Sequence, residues 1–131
     1  METSVRYIVE DTSSAITFYE LLGFEVVMNP GPGFAMLRRD DLRLLLNTPG
    51  GGGGAGQPAA DGTLPSPGGW NRFQLAVDDI EGEVSRLGEH GVRFRSAVID
   101  GQGGRQIVAD DPSGNPVELF QGRSPADQGG S

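Results

Sequence analysis

Apolar residues near the start of the chain first alternate with polar ones and then recur at helical spacing. In residues 4–10 most alternate positions are apolar, which predicts a strand with one buried face. The residues that carry the strand pattern and then the helix pattern are Val5, Tyr7 and Val9, followed by Ala15, Ile16, Tyr19 and Leu22. Asp11, Thr12 or Ser13 can cap this helix, and Gly23 suits the left-handed position just after its end.

Three short strands are predicted after this helix, and the second half of the chain repeats the order. The predicted strands are residues 24–28, 34–39 and 42–47 in the first half and residues 72–77, 92–94, 106–109 and 116–120 in the second. Asp79 is placed to cap the second helix and Gly91 to end it. Each half is therefore predicted to be a βαβββ module.

The two halves also align with each other when the sequence is shifted by 68 residues. Asp11 then falls on Asp79, Gly23 falls on Gly91, and apolar residues fall on apolar residues around them. Duplicated halves usually exist because neither buries its apolar face alone. We interpret the chain as one domain, residues 1–121, with an internal repeat. Its parts are module one at 4–48, a linker rich in glycine and proline at 49–69, module two at 70–121, and a flexible tail at 122–131.

Composition narrows the classes of partner. The 131-residue chain has a formal net charge of −8, which argues against nucleic acid because no basic stripe is available to follow phosphates. No apolar run is long enough to span a bilayer. All ten basic residues are arginines, so lysine chemistry is excluded, and the absence of cysteine excludes disulfides and favours a cytoplasmic location.

Several motifs together resemble the vicinal oxygen chelate superfamily, which includes glyoxalases, bleomycin resistance proteins and extradiol dioxygenases. The motifs are Asp11, Phe18-Tyr19 and Leu22-Gly23-Phe24, then Val77-Asp78-Asp79 and the sequence DPSGNPVEL at residues 111–119. The resemblance covers about residues 4–120. It implies an α+β fold in which two tandem βαβββ modules form a cup-shaped, partly open mixed sheet. It also implies a homodimer, since such small cups are commonly completed by a second chain.

Enzymes of this superfamily hold a divalent metal on the first and last strand of each module. The corresponding positions here are Ser4, Leu44 or Leu45, Arg72 and Glu118. One carboxylate beside a permanently charged guanidinium does not make a metal site, so we expect no metal and no cofactor. The only histidine, His90, is placed at the end of the second helix and is interpreted as a surface residue.

If the apolar face of the first strand in each module packs against the helix, the opposite face, which carries polar side chains, faces the open side of the sheet. The candidate ligand-binding residues are Arg6, Arg72, Gln74, Glu118 and Phe120, with Trp70, and also Phe34, as aromatic rims. Two interpretations of Arg72 and Glu118 stay open. They form either an internal salt bridge or a centre that presents a guanidinium to an anionic or carbonyl-bearing ligand. The glycines at 50–54 lack the context of a phosphate loop and are interpreted as part of the linker.

Three classes of function follow. The first is a metal-free protein that binds a small polar or anionic molecule, such as an antibiotic or another secondary metabolite. The alternative is an enzyme of lyase, isomerase or dioxygenase type with an atypical or absent metal site, for which Glu118 is the candidate general base. The third is a scaffold domain without a small ligand, which the polar residues predicted on the open face disfavour.

Overall fold

The computed structural model describes residues 2–51 and 53–123. Its contacts divide the chain into two units. Unit 1 consists of Met1–Trp70 with Asp111–Asn115, and unit 2 consists of Asn71–Asp110 with Pro116–Ser131. The eight residues 124–131, most of the predicted tail, lie outside the described part of the chain. Neither helix among the described residues is long and apolar enough to cross a membrane.

Unit 1 contains one helix and a four-stranded mixed sheet. Its elements in chain order are β1 (Ser4–Ile8), α1 (Thr12–Leu21), β2 (Glu25–Gly31), β3 (Phe34–Arg39) and β4 (Leu42–Asn47). The strand order is β1-β4-β3-β2, in which β1 runs parallel to β4 and the other pairs are antiparallel. The edge strand β2 is exposed along most of its length, including Val26, Val27 and Met28.

Helix α1 begins and ends where the sequence predicts. The Asp11 carboxylate accepts a hydrogen bond from the backbone N–H of Ser14 at 3.1 Å, and Gly23 has a φ of +89°. The buried face differs from the predicted stripe at one place, because Phe18 is buried whereas Ile16 is only half-buried. The ring of Phe18 meets the ring of Tyr19 edge to face at 4.9 Å.

The two faces of this sheet have different chemistry. One face is apolar and buried and carries Tyr7, Ala35, Leu37, Leu44 and Leu46. The strand registers place the intervening residues on the opposite face, which is mixed and carries Ser4, Arg6, Phe34, Met36, Leu45 and Asn47. The alternation therefore directs the polar residues of β1 away from the core.

Unit 2 has the same strand order with one strand divided. Its elements are β5 (Gln74–Ala76), α2 (Ile80–Glu89), β6 (Arg93–Phe94), β7 (Ile99–Asp100), β8 (Gly104–Asp110) and β9 (Pro116–Gly122). The order is β5-β9-β8-β6, and β7 also pairs with β8. Since β6 and β7 both pair with β8, they take the place that β2 has in unit 1. The predicted α+β class, with two unclosed mixed sheets, is confirmed.

The turn at 111–115 belongs to unit 1 and is tied to it by buried polar groups. Asp111 is 3% exposed, and its carboxylate accepts hydrogen bonds from the hydroxyl of Tyr19 at 2.8 Å and from the backbone N–H groups of Ser113 and Asn115. The Asn115 amide donates to the Ile8 carbonyl at 2.7 Å. Burial, and then the neighbouring Asp111 carboxylate, raises the pKa of the Tyr19 hydroxyl well above its ordinary value.

Residues 49–51 and 53–57, in the predicted linker, are held by hydrogen bonds of their own. The Gly50 N–H donates to the Gly56 carbonyl at 2.6 Å, and the side-chain amide of Gln57 donates to the carbonyls of Gly51 and Gly53. A Cβ added to Gly51 would lie 2.2 Å from the Thr48 hydroxyl oxygen, so this glycine is required by close approach. A short 3-10 turn, Gly54–Gly56, lies inside this segment.

Candidate functional site

Unit 2 brings three of the predicted site residues into one polar cluster. The Arg72 guanidinium lies 2.9 Å from Oε1 of Glu118, and its Nε donates to the same oxygen at 3.0 Å. The Gln74 amide donates to Oε2 of Glu118 at 2.6 Å. The register explains the arrangement, because Gln74 lies directly opposite Glu118 on the parallel pair β5 and β9. The predicted ion pair between Arg72 and Glu118 is present.

Both oxygens of the Glu118 carboxylate are therefore engaged. The Glu118 side chain is only 10% exposed, whereas that of Arg72 is 25% exposed. A buried carboxylate with a guanidinium on one oxygen and an amide on the other is electrostatically satisfied. These contacts favour the internal salt bridge over a carboxylate free to act as a general base.

The two predicted aromatic site residues have different surroundings. Phe120 lies on β9, and its ring covers the backbone of Gly104, where an added Cβ would be 3.0 Å from the ring. Trp70 belongs to unit 1 and is 68% exposed. Neither residue is among those that line the cavity described next.

Unit 1 contains a cavity of about 1070 Å³ on the mixed face of its sheet. Its walls come from the ends of β1 and β4, the start of α1, the turn between β2 and β3, and the glycine-rich segment. The lining residues include one arginine and two carboxylates together with neutral residues: Arg6, Glu10, Asp11, Thr12, Phe34, Asn47, Gly51 and Gly54. Drug-sized ligands occupy pockets of roughly 300–1,000 Å³, so this volume accommodates a large small molecule.

Arg6 is the cationic group of this cavity, and its hydrogen-bond partner is neutral. Its guanidinium donates to the side-chain oxygen of Asn47, which is 2% exposed and lies one row further along the same sheet face. In residues 2–51 and 53–123 no carboxylate forms an ion pair with Arg6. By contrast, Arg38 and Arg43 in the same unit pair with Glu2. Arg6 is therefore held in place without a direct ion pair to a described residue, although the carboxylates of Glu10 and Asp11 share the cavity with it.

This arrangement suits a ligand that offers a hydrogen-bond acceptor. A guanidinium positioned by a buried amide presents its remaining N–H groups in a fixed fork, which matches a carboxylate, another oxyanion or a carbonyl. Phe34 and the prolines at 30 and 32 supply apolar wall. The Thr12 hydroxyl is already committed to the Pro32 carbonyl at 2.5 Å, so it fixes the turn rather than offering a free donor.

The residues at the family's metal positions do not fit a divalent metal. In unit 1 the register sets Leu45 opposite Arg6, so the equivalent of Glu118 is Leu45, and Ser4 accepts a hydrogen bond from Arg43 at 2.7 Å. At the corresponding positions of unit 2, the carboxylate is that of Glu118, and it is paired with Arg72. Throughout the described part of the chain no three His, Cys, Asp or Glu side chains form a group that could hold a metal. The side chains at these positions therefore do not provide the ligands that a divalent metal needs.

The sequence predicted Arg6 as a site residue. It did not indicate that Asn47 is the hydrogen-bond partner of Arg6, or that the glycine-rich segment forms part of the cavity wall. Asn47 is the last residue of a predicted strand, and nothing in the sequence except its polarity distinguishes it as a site residue. The glycine-rich segment looked like a connector because low sequence complexity does not reveal the contacts of Gln57. Phe34, predicted as an aromatic rim, does line the cavity.

Comparison with known proteins agrees with this fold. The model of the Glyoxalase/Bleomycin resistance protein/Dioxygenase superfamily matches residues 3–119, so the chain belongs to that superfamily. No curated protein matches the sequence significantly.

Three solved structures illustrate the likeness. A superfamily member from Sphaerobacter thermophilus is 28% identical, with a TM-score of 0.72 and coverage of 92% of this chain and 96% of that one. TnmS3, an antibiotic binding protein from a Streptomyces species, is 25% identical, with a TM-score of 0.70 and coverage of 94% and 96%. A lactoylglutathione lyase from Agrobacterium tumefaciens is 20% identical, with a TM-score of 0.70 and coverage of 93% of both chains, and this likeness shows the fold alone.

Proposed function

We propose that this protein binds a small molecule in the unit 1 cavity and does so without a metal ion. The ligand carries a carboxylate, another oxyanion or a carbonyl that accepts hydrogen bonds from Arg6. The observation that carries the proposal is the Arg6 guanidinium, which lines a cavity of about 1070 Å³ and is positioned by the neutral side chain of Asn47. A guanidinium whose hydrogen-bond partner is a neutral amide can still pair with an anionic group of a ligand.

The comparisons support a binding role of the antibiotic-sequestering kind. TnmS3 is an antibiotic binding protein, and its likeness extends over 94% of this chain. We therefore propose an antibiotic or another secondary metabolite as the natural ligand. The enzymatic alternative has weaker support, because the candidate base, Glu118, has both oxygens bound by Arg72 and Gln74.

In this proposal the candidate ligand-binding residues have different roles. Arg6 contacts the ligand, whereas Arg72, Gln74 and Glu118 form an internal polar cluster that maintains the β5–β9 pair. Ligand binding by Phe120 and Trp70 stays a prediction of the sequence, since neither residue lines this cavity. A homodimer and a cytoplasmic location stay predictions, which light scattering and cell fractionation would test.

A matched pair of probes tests the role of Arg6. We expect 2-naphthoate to bind more tightly than 2-naphthalenemethanol, which has a similar shape but no charge, as measured by NMR titration. Arg6→Met should weaken 2-naphthoate binding by roughly 10-fold to 100-fold, the range for one charge-assisted hydrogen bond, while the neutral probe changes little. The control Arg38→Met removes another arginine of unit 1 that does not line the cavity, and it should leave both affinities near wild type. Equal effects of the two arginine variants would overturn the proposal.

Metal independence has its own test. Because Leu45 and Arg72 stand at positions that are ligands in the metalloenzymes, the purified protein should carry no stoichiometric divalent ion. Elemental analysis that finds close to one metal ion per chain, lost on Glu118→Ala, would contradict this expectation and revive the metalloenzyme hypothesis.

A further inference from the structure

Backbone geometry accounts for some of the glycines in and next to the cavity wall. Gly51 and Gly56 need to be glycine, since an added Cβ would lie 2.2 Å from the Thr48 hydroxyl oxygen and 2.3 Å from the Thr48 carbonyl oxygen. Gly31 and Gly54 have no such need. Neither has a positive φ, and an added Cβ at either position would meet no atom within 4 Å. Backbone geometry therefore explains the first pair of glycines but not the second.

Gly31 and Gly54 share a location. Both line the unit 1 cavity, Gly31 at the end of β2 and Gly54 at the start of the 3-10 turn. A larger residue at either position would extend into space that is open. What distinguishes them from the equally unconstrained Gly88 is their place in the cavity wall, where the missing side chains leave room.

We propose that Gly31 and Gly54 are specificity-determining residues that keep the cavity open for a bulky ligand. The inference rests on the proposed function and deepens it by naming the ligand class: a large, multi-ring molecule with an oxyanion or carbonyl for Arg6. The volume of about 1070 Å³ lies at the upper limit of ordinary small-molecule pockets, which agrees with a large occupant. Phe34, which also lines the cavity, supplies a flat apolar surface against which rings stack.

The experiment uses two anions that differ in size, benzoate and pyrene-1-carboxylate, titrated against the full chain. The wild type should prefer pyrene-1-carboxylate, because the larger probe buries more apolar surface. Gly54→Leu and Gly31→Leu should each weaken binding of pyrene-1-carboxylate about tenfold or more and leave benzoate affinity within about twofold, because only the larger probe needs the lost space. The two variants lie on different elements, so a folding defect in one leaves the other informative.

Gly88→Leu is the matched control. Gly88 is exposed on α2, has no positive φ, would also meet no atom within 4 Å, and does not line the cavity. It should bind both probes as the wild type does. The inference is overturned if the cavity variants bind pyrene-1-carboxylate normally, if they lose both probes equally, or if Gly88→Leu shows the same loss. If neither anion binds the wild type, or if Arg6→Met changes neither affinity, the proposed function itself fails.

Discussion

In each unit an arginine contacts a residue on the neighbouring parallel strand, one row away from the position directly opposite it. The partner is charged in one unit and neutral in the other. In unit 2, Arg72 precedes β5 and reaches Glu118 on β9. In unit 1, Arg6 on β1 reaches Asn47 on β4, one row further along the equivalent pair of strands. The first contact joins two charges and the second joins a charge to a neutral amide.

The same strand topology therefore produces one arginine that is neutralised by a carboxylate and one that is held by a neutral amide. A guanidinium paired with a buried carboxylate has little left to offer a ligand, since breaking the pair would expose two charges. A guanidinium held by an amide keeps its geometry and its charge. The cavity lies beside the guanidinium that is held by an amide, which is why we propose unit 1 as the ligand-binding unit.

The largest expected effect comes from Asp111, which joins the turn at 111–115 to Tyr19 of α1 in unit 1. Asp111→Ala would leave the Tyr19 hydroxyl and the N–H groups of Ser113 and Asn115 without their buried acceptor. We expect a loss of about 3–4 kcal/mol in the free energy of unfolding. Urea denaturation measures it. Asp111→Asn, which keeps an acceptor, should lose about half as much, and a loss below about 1 kcal/mol for alanine would contradict the assigned role.

The second prediction gives unit 2 the residue that unit 1 has at the same register position. Glu118→Leu copies Leu45 and leaves Arg72 without its carboxylate. A fully buried pair broken in this way costs about 3–5 kcal/mol, but the Arg72 side chain is 25% exposed and can turn to water, so we expect about 1–2 kcal/mol. Thermal or urea unfolding measures the change.

Combining Glu118→Leu with Arg72→Met should recover most of that loss, because no unpaired charge then remains. If the double variant is as unstable as Glu118→Leu, lost packing rather than lost pairing accounts for the effect.

The third prediction makes the reverse exchange. Leu45→Glu places a carboxylate opposite Arg6, as Glu118 lies opposite Gln74. The new carboxylate should neutralise Arg6 and weaken 2-naphthoate binding about tenfold, with a small change in stability because Leu45 is only half-buried. Leu45→Gln, which adds a similar shape without charge, is the control and should bind the probe nearly as the wild type does. Equal weakening by the two substitutions would contradict the electrostatic explanation.

The comparison also shows what the sequence could predict. Periodicity located both helices and most strands, and Asp11 and Asp79 marked the helix starts, because these features depend on local spacing and capping. The contact between Arg72 and Glu118 followed from the family pattern. Asn47 as the partner of Arg6 could not be predicted, since a diagonal contact across parallel strands depends on a register that residues 41 positions apart do not encode locally.

The sequence also did not predict that one strand is divided into β6 and β7. Nor did it predict that Gln57 holds the glycine-rich segment by hydrogen bonds to Gly51 and Gly53. Both depend on long-range pairing or on hydrogen bonds to glycine carbonyls. Neither leaves a pattern of apolar spacing in the sequence.

The smallest expected effect on stability comes from Tyr19 of α1. The equivalent residue of α2 is Leu87, which is also buried but cannot ionise. The pKa of Tyr19 is raised in the folded protein by burial and by Asp111, so its neutral form is favoured there. Its contribution to stability is complete below pH about 10, the ordinary tyrosine value, and is lost as pH rises from there through the folded pKa.

Tyr19→Phe lacks the hydrogen bond to Asp111 but cannot ionise. It should therefore be about 1 kcal/mol less stable than the wild type at neutral pH, and the gap should narrow by up to about 1.4 kcal/mol for each pH unit above about 10. Urea unfolding of both proteins between about pH 8 and about pH 11 measures the gap, and the titrations of all other groups cancel in the difference. A gap that stays constant over this range would show that Tyr19 ionises as readily in the folded protein as in the unfolded chain, and that its hydroxyl is not held neutral by the buried contact with Asp111.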